Sequence, residues 1–482
     1  MGYVSELAGE PSAPSARQQW LEAVEKHRDA QEGPVDEKYW SRLDTASRDE
    51  LAAIQNEKLR ALMPYLYENV PFYRRRFDEL GLEPGDVTEL ADLARIPPVT
   101  KQDMADDLAE HGPWGSFTAV DDRVWAERGW QIFATSGTTA TPRVFRYTAF
   151  DRETWKWSDA RAMYAMGFRS GRDVAMIAFG YGPHVWLWGV HYSLDLMGIP
   201  RITAGGLDSS LRARFVDTFR PTILACTPSY ALYLADVMRD CGYEPAESSI
   251  RYLFCAGEPG FSVPAVRERL QSIWQAELHE FYGCTEAAPS AGGHSCAAVA
   301  GDPGEVSTHL IDDAHIWEVV DPETLEPVPD GERGISVVTN LLSESSPQLR
   351  FVVGDYTRLT RERCACGRTS TRAVGGFAGR ADDMLNIRGV TLFPSVLDNV
   401  VRGVAEAGAE YEVVITAPRG LDEVTLRIEG VPGLSVERHE GLRDAVGRAV
   451  RMHTELRAEV EVLEHGTLPR TQIKARRVRD ER

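Results

Sequence analysis

The sequence predicts an α/β protein: a large N-terminal α/β region followed by a small α+β unit. Between about Phe133 and Tyr282, short apolar segments alternate with amphipathic ones, the pattern of a mainly parallel sheet with covering helices. After His309 the texture changes to short alternating strands broken by Asp-Pro-Glu and Asp-Gly turns, and a new unit begins near Asp382. A chain of 482 residues is long enough for two domains with cores of their own.

Residues 1–16, rich in Ser, Pro and Ala, read as a flexible tail. From Gln18 to Leu80 apolar positions recur at helix spacing, as in Leu51, Ile54, Leu59, Leu62 and Leu66. Pro71 and the stretch 84–98 break the chain into turns. Within the alternating region, 174–179, 222–225 and 252–255 read as buried strands, and 229–239 and 263–276 as the helices between them. Further strands follow at 314–320, 334–339 and 349–353. In the last unit, 411–416 and 423–428 pair as a hairpin, 440–456 is a helix and 458–463 a strand. The expected domains are thus 17–381 and 382–482, the second a lid.

Lys and Arg number 53 against 73 Asp and Glu, a net charge of −20, which argues against a dedicated binder of nucleic acid or of an anionic membrane. Seven cysteines are too few and too odd for a disulfide framework. With no secretory signal and no apolar run long enough for a bilayer, a cytoplasmic protein is expected. A homodimer is compatible with the sequence.

Five strings carry chemistry. Ala134-Thr135-Ser136-Gly137-Thr138-Thr139-Ala140-Thr141-Pro142-Arg143 sets hydroxyls and backbone donors around a glycine, able to wrap phosphate oxygens; alone it is equally a polar turn. Phe281-Tyr282-Gly283-Cys284-Thr285-Glu286 offers a ring for a flat heterocycle and a carboxylate for magnesium. Gly354-Asp355 closes a strand, where an Asp accepts ribose hydroxyls. Gly379-Arg380-Ala381-Asp382 lies at the domain boundary, and Leu468-Pro469-Arg470-Thr471-Gln472-Ile473-Lys474 near the C-terminus.

In order and spacing these strings resemble the core motifs of the adenylate-forming superfamily of acyl-CoA synthetases, adenylation domains and luciferases, and within it the phenylacetate-CoA ligase family. Glu68-Asn69-Val70-Pro71-Phe72-Tyr73-Arg74, Ile96-Pro97-Pro98-Val99-Thr100-Lys101, Thr227-Pro228-Ser229-Tyr230 and Ala256-Gly257-Glu258-Pro259 are similar to that family too. The resemblance implies a ligase with two half-reactions. A carboxylate, here an aryl or arylacetic acid, attacks the α-phosphorus of ATP, and the thiol of coenzyme A then displaces AMP. It further implies that Thr135, Ser136, Gly137, Thr138 and Thr139 cradle phosphate. Gly257, Glu258 and Pro259 line the adenine, with Tyr282 and Gly283 against it. Thr285 and Glu286 hold the α-phosphate and Mg2+, and Asp355 takes the ribose, with Arg380 nearby. Asp382 is the hinge, and Lys474 neutralises charge developing at the α-phosphate. Capture of the adenylate by an amine or a carrier-protein thiol, or activation of nitrite toward an aryl amine, stays open.

Ala140, Arg143 and Ile473 stand where relatives often carry Gly, Lys and Gly, and none removes a charge the chemistry needs. The ring-rich stretch from Phe179 to His191 corresponds to the family's acid pocket. There Tyr181, His184, Trp186, Trp188 and His191 suit a flat aryl acid, though both tryptophans serve equally as core. Cys364 and Cys366, one residue apart, form with Cys296 and His309 a candidate tetrahedral zinc set of structural type. His294 competes for the fourth position.

Overall fold

Helix Arg48–Asn69 begins at Ser47, whose side chain accepts a hydrogen bond from Glu50 N, and buries the predicted stripe of Leu51, Ile54, Leu59, Leu62 and Leu66. Pro71 does not end the helical region. It takes the first position of a second helix, Pro71–Leu80, where its missing N–H costs nothing. The computed structural model describes residues 14–29, 33–135, 143–300, 306–377, 379–381, 385–387, 390–392, 394–418, 422–454, 456–470 and 477–482. Ser136, Gly137, Thr138, Thr139, Asp382 and Lys474 lie outside them, as do Ala140 and Ile473.

Strands β1 (Gly129–Ala134) and β2 (Val144–Thr148) pair antiparallel, and the hydroxyl-rich string connects them. Strands β3 (Ala175–Ile177), β4 (Arg201–Thr203), β5 (Ile223–Cys226), β6 (Tyr252–Cys255) and β7 (Glu277–Cys284) run parallel in the order β7-β6-β5-β3-β4. Helices such as Pro228–Asp240 and Pro264–Trp274 link them, as the alternation predicts. On the other side of β7 the sheet turns antiparallel through β8 (Ala288–His294) and β9 (Ser307–Leu310). The connection after Cys284 is far too short for a parallel crossover, so the expected mainly parallel sheet is parallel in one half only. Strands β10 (His315–Val320), β11 (Gly334–Asn340) and β12 (Phe351–Thr357) form a separate antiparallel sheet, while β13 (Leu359–Thr360) and β14 (Arg372–Val374) rejoin the first beside β9.

Hairpin strands β15 (Leu385–Ile387) and β16 (Val390–Leu392) open the last unit. Its sheet has the order β19-β18-β17-β20, from β17 (Ala407–Thr416), β18 (Glu423–Gly430), β19 (Glu459–Leu463) and β20 (Val478–Asp480). Helix His439–Thr454 buries Leu442, Val446 and Val450 against it, in a core separate from that of the larger region. The two regions meet where Ala265 N donates to Asn399 Oδ1 at 3.2 Å, satisfying a helix-start N–H with a side chain from helix Pro394–Arg402.

Candidate active site

Two strand irregularities build the site. Tyr282 faces Gly293 and Cys284 faces Ala288, so one residue of β7 opposes four of β8. Gly283 sits at that break, and a Cβ there would come within 2.6 Å of Ala288 O and 2.8 Å of Ser290 O, which is why only glycine fits. In the second sheet Ile335 faces Tyr356 while Val337 faces Val352, leaving Val353, Gly354 and Asp355 bulged out of register. Gly354 carries the bulge with a φ of 86°. Asp355 therefore lies inside β12 rather than closing a strand, a correction to the sequence reading, and the bulge turns it toward β7.

The bulges bring distant strings into contact. Tyr282 Oη donates to Asp355 Oδ2 at 2.5 Å, and Asp355 bridges to Arg380 across the backbone. Burial and the Asp355 charge hold the Tyr282 hydroxyl well above its usual range, so it stays protonated as the donor. Thr135 N donates to Arg143 O at 2.9 Å and Arg143 N to Thr135 Oγ1 at 3.1 Å, closing the base of the hydroxyl-rich connection. The Arg143 guanidinium then reaches Glu286, with Nη2 at 2.7 Å and Nε at 3.2 Å from the same Oε1. Thr285 O accepts from Tyr147 Oη at 2.7 Å, and Glu286 O from Ser346 Oγ at 2.9 Å, which pins this turn. Burial and the nearby Glu286 push the Cys284 thiol up to about 12, which keeps it protonated.

Glu258 Oε1 accepts from Ser229 N at 2.6 Å, so the string at 256–259 caps the helix that the Thr227-Pro228-Ser229-Tyr230 string begins. Gly257 holds a φ of 90° just beyond β6, and Pro259 is half-buried. In the ring-rich stretch, Tyr181 is 43% exposed and meets Trp188 edge-on, and Trp188 Nε1 donates to Gly182 O at 3.1 Å. Trp186 packs on Phe179 and Phe254, its Nε1 buried with no acceptor among the described residues. Burial keeps His184 neutral by lowering its pKa. His191 stands apart from the others in its polar contacts: Arg201 Nε donates to its Nδ1 at 3.2 Å and also pairs with Asp195.

Cys296, His309, Cys364 and Cys366 converge on one point, with ligand atoms all within 4.8 Å of one another and every residue buried. The turn is tight: Gly367 N donates to Cys364 O at 2.8 Å and Arg368 N to Cys366 Sγ at 3.5 Å. His309 Nδ1 pairs with Ser370 Oγ at 2.9 Å, leaving Nε2 toward Cys366 Sγ at 3.5 Å. His294 stacks on His309 at 5.5 Å but turns its Nδ1 to Ser295 O at 2.8 Å, outside the four-atom cluster. Three thiols and one imidazole at this spacing suit a tetrahedral metal.

A family model described as "AMP-binding enzyme" matches residues 83–340, and one described as "AMP-binding enzyme C-terminal domain" matches residues 389–482. A phenylacetate-coenzyme A ligase of Thermus thermophilus is 34% identical over 92% of this chain and 99% of its own length. One of Aromatoleum evansii is 32% identical over 91% and 96%.

The chain belongs to the adenylate-forming, AMP-binding enzymes.

It is a ligase of the phenylacetate-CoA ligase family, and among the described residues no helix is long and apolar enough to cross a membrane. A solved 2-hydroxyisobutyryl-CoA ligase in its postadenylation state, bound to R3-HIB-AMP, superimposes with a TM-score of 0.86 at 30% identity, over 94% of this chain and 95% of the other. In its thioesterification state, with 2-HIB-AMP and CoA, the TM-score is 0.69 over the same shares at 31% identity.

Two residues near the site escaped the sequence reading. Phe377 lies flat on Tyr282, ring centroids 3.3 Å apart and planes 5° apart, so one face of the tyrosine is already covered. Lys101 Nζ is 3.9 Å from where a Gly354 Cβ would stand, because Val99 pairs with Phe351 alongside β12. In the sequence the Lys101 string carries only a family likeness, and no local pattern points from it to Asp355.

Proposed function

We propose that this ligase activates an aryl or arylacetic acid with ATP and passes the acyl group to coenzyme A. One observation carries the reading: the pairs Arg143–Glu286 and Tyr282–Asp355 tie strings spread over more than two hundred positions into one site. A carboxylate is a poor acceptor for a thiol, and the mixed anhydride with AMP is a good one. Attack of the acid's oxygen on the α-phosphorus forms the new P–O bond as the bond to pyrophosphate breaks. In the second half-reaction the thiol attacks the acyl carbon, loses its proton and expels AMP.

In this reading Thr135 and the loop 136–139 hold the β- and γ-phosphates. Adenine lies between the free face of Tyr282 and the backbone of Gly257, Glu258 and Pro259, while Gly283 leaves room beside it. Asp355 exchanges the Tyr282 hydroxyl for the ribose hydroxyls, with Arg380 alongside. Thr285 orients the α-phosphate. Both Arg143 bonds fall on one oxygen of Glu286, and Oε2 takes no hydrogen bond from a described residue, so the carboxylate fits magnesium. The ion supplies charge neutralisation for the polyphosphate. Lys474 faces the α-phosphate during adenylation, and Asp382 is the hinge that withdraws it, with the domain boundary at 381/382. Tyr181, His184, Trp186 and Trp188 line the acid, whereas His191 braces Arg201. Cys296, His309, Cys364 and Cys366 hold zinc with no open position, a structural role. We place the enzyme in the cytoplasm, as a homodimer.

The test is pyrophosphate release over aryl and alkyl acids, followed by product analysis with coenzyme A, amines, a carrier protein or nitrite. Thioester formation from an aryl acid and coenzyme A is expected. Faster turnover with an amine, a carrier thiol or nitrite would replace the second half of this reading.

A further inference from the structure

We propose that Asp159 selects the acid: its free carboxyl oxygen forms a hydrogen bond with a hydroxyl or amino group carried by the aryl substrate. The inference rests on the adenylation reading above and names the substrate class of the same site.

Asp159 lies on helix Ala149–Ala165 and is wholly buried. Ser290 Oγ donates to its Oδ2, the Ala291 N–H lies near the carboxyl, and its Oδ1 has no hydrogen-bond partner among the described residues. A buried acceptor left unmatched is costly and rare in native proteins, and where one is kept, a ligand or water commonly completes it. The surroundings place this orphan beside the acid. Gly189 sits on helix Val185–Met197, three residues past Trp186, and a Cβ at that point would collide with both Ser290 Oγ and Asp159 Oδ2. The helix that presents the candidate acid-binding rings therefore approaches Asp159 over a bare backbone.

Ser290 ties the pair to the chemistry as well. It holds a φ of 64° within the irregular stretch of β8, and its carbonyl oxygen backs onto Gly283 between Tyr282 and Cys284. Asp159 thus stands between the ring-bearing helix and the nucleotide turn. Trp186 contributes a second orphan, a buried indole N–H without an acceptor among the described residues. A ring bearing a hydroxyl or amine satisfies the carboxyl oxygen, and a site that bonds such a group discriminates strongly against the analogue lacking it.

The experiment measures pyrophosphate release for benzoate and phenylacetate against their ring-hydroxy and ring-amino derivatives. The wild-type enzyme is expected to favour at least one substituted acid over its parent by about tenfold or more in kcat/KM. Asp159→Leu should collapse that ratio, and Asp159→Asn, close in shape, should move it by about threefold or more. Wild-type indifference to the substituent overturns the proposal without recourse to any variant. So does a loss of equal size on parent and substituted acids in both variants, which marks a structural role. Failure of every acid to release pyrophosphate brings down the adenylation reading itself, an outcome distinct from indifference.

Discussion

The candidate metal cluster and the proposed nucleotide site are both assembled from distant strings, yet they are finished differently. Cys296, His309, Cys364 and Cys366 are 0–7% exposed, and the residues around them, Arg368 and Ser370, orient the donors. Nothing remains for a substrate to approach, which is what a structural site requires. The proposed nucleotide site keeps Tyr282, Asp355 and Arg143 partly exposed, with Glu286 buried, and pairs them with one another, Tyr282 with Asp355 and Arg143 with Glu286. Internal pairing leaves none of these charges uncompensated, and in the reading proposed above each pair is traded for contacts to ATP. A closed site stabilises the fold; an open one holds its charges in reserve.

The sharpest way to break this comparison is to remove the charge that the proposed function assigns to Lys474. Lys474→Ala is expected to lower pyrophosphate release by about 100-fold or more while leaving thioester formation from supplied acyl-adenylate within about threefold. Equal loss in both half-reactions would sink the assignment. For the closed site, Cys366→Ser should lose zinc by elemental analysis and lower the melting temperature by about 5–10 °C. Cys241→Ser, at an exposed cysteine, should change neither. Zinc below a tenth of an equivalent in wild-type protein prepared without chelator would retire the metal. A smaller effect is expected from Asp355→Asn: KM for ATP should rise about tenfold, with kcat changing less. A fall in kcat alone would place Asp355 elsewhere.

Much of this was legible in the sequence because the relevant signals are local. The strands at β5, β6 and β11 and the helices after β5 and β6 follow from apolar runs and amphipathic spacing. The Cys-Ala-Cys turn announced itself by spacing alone. What could not be read was register. Asp355 looked like a strand end, since a bulge is visible only once β11 is laid beside β12. The antiparallel half of the sheet was hidden because β9, β13 and β14 are two to four residues long, too short for a period to show. Phe377 and Asp159 carry no motif; their meaning comes from Tyr282 and Ser290, neighbours far away in sequence.

Asp159 also sharpens the contrast, because it sits beside the open site while being buried like a member of the closed one. Burial pushes its carboxyl from an ordinary 3.8 up to about 8. The folded protein therefore holds this proton more tightly than the unfolded chain does. Its contribution to stability is complete at low pH and is lost as pH rises from about 4 toward about 8. Asparagine does not titrate, so the melting temperature of Asp159→Asn minus that of wild type should grow between pH 5 and pH 8, by about 2–4 °C. Glu280 is also raised, to about 7 by burial, but it is present in both proteins and cancels in the difference. A difference that stays flat, or shrinks, as pH rises would mean that Asp159 is ionised in the fold. It would then belong with the paired, exchangeable charges of the nucleotide site.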